Sequence, residues 1–192
     1  MADAPRTDPY LCEARPVAAD DPSIELDTTF DSTGNRIVVG YRLTNHRSEA
    51  VYVVARVPDA DGKGGAQGHY VVPRSDGIVE ISKRLFRSVD CPKLRYQAPP
   101  EPDLLRIDPG ATFAEEFTVS LPLTTIHPYQ PLDPGDLAPM PSRPGHVVFC
   151  VGLMRSKNMT PQPTERDGEQ RYDYRDLDFN AQTHLCSDPE PV

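Results

Sequence analysis

The sequence predicts an all-β chain, a two-sheet antiparallel sandwich with long proline-rich loops, and two features lead to that reading. Runs of apolar residues recur with a period of two, which puts alternate side chains on one face of a strand. Between the runs lie many of the 22 prolines in 192 residues. An interior proline costs a helix about 3 kcal/mol, because it removes a backbone donor and clashes with the preceding turn.

The first strand reads as Ser23 to Phe30, with Ile24, Leu26, Thr28 and Phe30 on one face and Glu25, Asp27 and Thr29 on the other. Asp31 to Asn35 then supplies turn formers, with Gly34 and Asn35 tolerant of positive φ. Ile37, Val39, Tyr41 and Leu43 give the clearest alternation in the chain, and Val51, Val53, Ala55 and Val57 repeat it after a polar break at Asn45 to Glu49. These two runs form either a hairpin or a crossing between facing sheets. His69 to Val72 and Gly77 to Lys83 read as a second hairpin turned at Asp76-Gly77.

Leu104 to Ile107, the turn Asp108-Pro109-Gly110 and Thr112 to Leu121 make a further unit, with Phe113, Phe117, Val119 and Leu121 on one face. Glu115 falls on that same apolar face, where an unpaired carboxylate is costly. His146 to Met154 is apolar on both sides and reads as a central strand covered on both faces. Arg155 to Arg175 reads as a long loop or partly ordered hairpin, and a last short strand runs within Asp176 to Cys186. Residues 1–22 form an irregular lead-in, 23–186 a single domain and 187–192 a frayed tail. The segments Pro58 to Gly68, Arg84 to Asp103 and Pro122 to Gly145 are loops and connections.

The strand Ile37 to Leu43 followed by Thr44-Asn45, and Leu105 to Gly110 leading into Phe113 to Leu121, resemble bacterial immunoglobulin-like or fibronectin-like sandwich modules. In those modules a strand ends in Asn before a polar turn, and a Pro-Gly turn precedes a late strand. The resemblance covers roughly residues 23 to 155 and implies an immunoglobulin-like arrangement of the sheets. A narrower similarity is to the intracellular proteinase inhibitors of bacteria, which are cytoplasmic and built on such a sandwich. This chain departs from them in having no Trp and longer loops, so no inhibitory residue carries over.

A net charge of -9, with no basic stripe, argues against a nucleic-acid partner and against an anionic membrane surface. Met1 to Asp21 lacks the apolar centre of a secretory signal, so the chain as read stays in the cytoplasm, or is exported if a leader has been removed. Cys12, Cys91, Cys150 and Cys186 form no CxxC pair; they are independent thiols or two disulfides. Cys12 with Cys186 is the first pair to test, because chain ends often approach each other.

His46, His69, His127, His146 and His184 show no metal-ligand spacing, and no GxSxG, SxxK or phosphate-cradling glycine loop occurs. No catalytic residue, metal ligand or cofactor is assigned. The proline-stiffened segment carrying Ile126, His127, Tyr129 and Leu132 is the candidate binding loop, since a stiff loop loses less entropy on binding; otherwise it caps the open end of the sandwich. The expected function is a non-enzymatic protein-binding or scaffolding module whose protein partner is unidentified. The alternatives are an enzyme with a site assembled from distant loops, a proteinase-inhibitor-like domain, and an exported accessory domain held by disulfides.

Overall fold

The computed structural model describes residues 22–57, 68–74, 76–86, 102–127, 138–156, 161–166, 168–173, 177 and 182–192, and these contain strands and no helix. β1 (Ile24–Thr33), β2 (Arg36–Asn45) and β7 (Thr112–Ser120) form a three-stranded antiparallel sheet in the order β1-β2-β7. The larger sheet contains β3 (Val51–Arg56), β4 (Tyr70–Pro73), β5 (Val79–Lys83), β6 (Asp103–Ile107) and β8 (His146–Met154). The hairpin β9 (Pro163–Arg166) and β10 (Glu169–Tyr172) extends it, giving the order β4-β5-β8-β3-β6-β10-β9. β11 (Thr183–Cys186) and β12 (Glu190–Pro191) both pair with β8.

β1 runs three residues beyond its expected end, because Gly34 takes φ +64° and lets a two-residue turn close the hairpin with Thr33 opposite Arg36. β2 and β3 turn out to be a crossing between sheets, not a hairpin. The larger sheet is mixed where an antiparallel one was expected, since β5 pairs with β8 in parallel from Val79↔Val147 to Lys83↔Val151. Apolar alternation is the same for both directions, so the pattern carried no information on this point. The tail is likewise paired where fraying was expected: Ser187 N donates to Phe149 O, and Glu190 and Pro191 lie opposite Val147 and His146. The lead-in, apart from Pro22, and residues 58–67, 87–101 and 128–137 lie outside the described residues.

One apolar cluster joins the two sheets, with Ile37, Val39, Leu43 and Val119 from the smaller and Val53, Ile81, Phe149 and Val151 from the larger. A second cluster, containing Tyr52, Val54, Tyr70, Phe86, Leu104 and Met154, covers the other face of the larger sheet. Covering on both faces is why every residue of β8 after His146 is buried.

Asn45, fully buried at the end of β2, ties the two crossovers together. Its Nδ2 donates to Glu49 O at 2.9 Å and Ile107 O at 3.0 Å, and its Oδ1 accepts from Arg47 N at 3.0 Å. The backbone adds Asn45 N to Ala111 O and Gly110 N to Asn45 O. The β2–β3 and β6–β7 connections are thereby held side by side, which stacks the β2–β7 pair over the β3–β6 pair.

Candidate functional site

Apart from Val38, the outward row of the three-stranded sheet consists of exposed or half-buried polar and small residues, because each strand alternates about its inward apolar row. At mid-sheet, Asp27, Arg42 and Ala114 lie in one register line and Thr29, Gly40 and Glu116 in the next but one. Together they line a hollow of about 570 Å³. Its floor is low because Gly40 and Ala114 bring almost no side chain. A Cβ on Gly40 would stand 2.6 Å from Thr29 Oγ1, so the position admits glycine without displacing that hydroxyl.

The register line between those two is Thr28, Tyr41 and Glu115, and its side chains point to the interior. There Lys83 of β5 crosses from the larger sheet and donates to Glu115 Oε1 at 2.7 Å, while Tyr41 Oη donates to Oε2 at 2.7 Å. The Lys83 side chain is 2% exposed and that of Glu115 30%, so the ammonium is sealed in while the carboxylate keeps some contact with water. Lys83 Nζ also lies 4.6 Å from the centre of the Phe117 ring and 5.6 Å from that of Tyr41. Burial pushes the Lys83 pKa down, and Glu115 opposes that shift. Burial, reinforced by the charge and hydrogen bond of Glu115, pushes the Tyr41 phenol up, so it stays a donor.

Glu115 was legible as a carboxylate on an apolar face, but its partner was missed. The signal was parity: Lys83 follows Val79 and Ile81 at two-residue spacing on the face that turns inward.

Of the binding loop named from the sequence, Ile126 and His127 are described, whereas Tyr129 and Leu132 lie outside the described residues. Ile126 forms a β-bridge with Val71 on the free side of β4, through Val71 N to Ile126 O at 2.9 Å and the reverse bond at 2.8 Å. His127 is fully buried, its ring 4.8 Å from Phe86, so neither residue stands out in a projecting loop. The cysteine pairing is corrected: Cys186 bonds to Cys150, its direct cross-strand neighbour, with the Cα atoms 4.1 Å apart, and is not available to Cys12, which lies outside the described residues. Among the described residues no group of His, Cys, Asp and Glu is placed to hold a metal ion.

Comparison with known protein families, curated proteins and solved structures gives no match.

Burial, and to a smaller extent the charge of Arg84, pushes His127 down from 6.5 to about 3. The fold therefore favours the neutral ring, and the stability this contributes is complete above pH 6.5 and is lost as the pH falls toward 3. Between pH 6.5 and about pH 5 the wild-type chain should lose roughly 1.5 kcal/mol from this residue. Urea unfolding across that range should show a shallower slope for His127→Leu, and an unchanged slope would refute the assignment.

Proposed function

We propose that the chain is a non-enzymatic protein-binding module on an immunoglobulin-like sandwich, and that the three-stranded sheet is its working face. The observation that carries this is the outward hollow over Gly40 and Ala114, walled by Asp27, Thr29, Arg42 and Glu116. Its floor is braced from beneath by the Lys83–Glu115–Tyr41 cluster. A surface whose backbone is fixed before binding loses little entropy when a partner arrives. Support for the immunoglobulin-like arrangement comes from the paired crossovers at Asn45, while the parallel β5–β8 pair is a departure from it.

A photo-crosslinking residue at position 29 of the full chain, expressed in its native host, should yield a discrete protein adduct. The same residue at exposed position 164 on β9 should not. Equal adducts from both positions, or none from position 29, would remove the proposal.

The Cys150–Cys186 bridge favours the exported alternative over the cytoplasmic one, because disulfides persist in oxidising compartments. Among the described residues no helix is long and apolar enough to cross a membrane. Alkylation of freshly isolated, denatured but unreduced protein should leave Cys150 and Cys186 unlabelled; labelling of both would return the reading to the cytoplasm.

A further inference from the structure

We propose that β1 receives an extended segment of another protein as an added strand, and that this segment alternates basic with apolar side chains. The inference rests on the protein-binding reading above and names its partner class.

β1 is ten residues long and pairs, among the described residues, with β2 alone. The direction of its backbone groups follows from the hairpin. A two-residue turn leaves Thr33 and Arg36 as a hydrogen-bonded pair, and antiparallel pairs alternate from there. Asp31, Thr29, Asp27 and Glu25 therefore bond to β2, and His46 N donating to Ser23 O at 2.9 Å continues the same alternation. Leu26, Thr28 and Phe30 consequently turn their N–H and C=O groups to the open edge, as a sheet that accepts another strand requires.

The side chains specify the guest. Leu26, Thr28 and Phe30 remain half-buried at the margin of the core, so an added strand with apolar residues on that face would complete their cover. On the other face Glu25, Asp27 and Asp31 are exposed, and Lys or Arg at alternate guest positions would meet them. The same charges count against a second copy of this chain: β1 against β1 in antiparallel register centred on Thr28 sets Glu25 opposite Asp31. Like charges directly opposite destabilise a strand pair.

The test is amide hydrogen exchange on the isotope-labelled full chain, with a synthetic peptide of alternating lysine and valine matched in length to β1. Exchange at Leu26, Thr28 and Phe30 should slow by at least about tenfold on saturation. A glutamate–valine peptide, and a peptide with its lysines and valines in separate blocks, should leave those amides unchanged. Thr28→Pro removes one outward N–H at a position where an edge strand tolerates proline, and should weaken peptide binding by about tenfold or more. Asp27→Lys with Asp31→Lys retains the strand and should reverse the preference toward the glutamate–valine peptide.

Equal slowing by the block peptide would mean electrostatic adhesion and overturn the proposal. So would protection of the three amides in the free chain, which would place a segment of the chain itself on this edge, or protection that grows with protein concentration alone, which would indicate a second copy. Absence of slowing while the position-29 adduct persists removes strand addition and leaves the binding reading standing; loss of the adduct removes the binding reading itself.

Discussion

Glu115 occupies an inward position of β7, and a carboxylate there is tolerable only if a cation and a donor meet it. Lys83 and Tyr41 meet that need from opposite sheets, and the rest of the interior is arranged about their meeting. The Tyr41 ring lies 4.6 Å from Phe149, and Phe149 lies 5.7 Å from Phe117, over which the Lys83 ammonium sits. An apolar contact between sheets can slide; a charge pair at 2.7 Å sealed by aromatic rings has one registration. The ion pair thereby fixes which register line of the small sheet stands over β5. Asn45 does the corresponding work at the end of the strands, where the two crossovers meet.

That interior arrangement has an outward consequence. The line Thr28–Tyr41–Glu115 held from below is the line on which the hollow rests. Its rigidity comes from packing and charge inside the core, so the outward positions are free to be small or charged without loss of order. Gly40 illustrates the division: it carries no side chain, and the Thr29 hydroxyl that walls the hollow leans into the place a Cβ would hold. The edge of β1 belongs to the same design, with half-buried apolar residues behind and acids in front.

Much of the strand content was legible because alternation is a local property of the backbone. Ile37 to Leu43 shows it without ambiguity, Val147 to Leu153 is continuously apolar as a strand covered on both faces requires, and Ile37, Val39, Leu43, Val147, Phe149, Val151 and Leu153 are buried in the core that the two sheets share. Pairing direction and partner were not legible, since β5 and β8 are more than sixty residues apart in sequence and either direction satisfies the same pattern. The cysteine pairing was not legible for a related reason: nearness of chain ends is only an average tendency, while the actual bond depends on β11 lying directly against β8. Of the candidate site, Glu115 announced itself as a polar residue at an apolar position. The hollow did not, because a shallow depression made by Gly40 and Ala114 appears only when β2 and β7 are set side by side.

A double-mutant cycle in urea unfolding measures the coupling between Lys83 and Glu115 directly. Lys83→Met should cost about 2 kcal/mol, because it leaves the half-buried Glu115 carboxylate without its cation while water and Tyr41 still reach it. In the Glu115→Gln background, where Tyr41 still finds an acceptor, the same change should cost far less, giving a coupling of at least about 1.5 kcal/mol. Additivity within about 0.5 kcal/mol would show that the pair does not hold the sheets in register, and would contradict the structural basis of the proposed binding face.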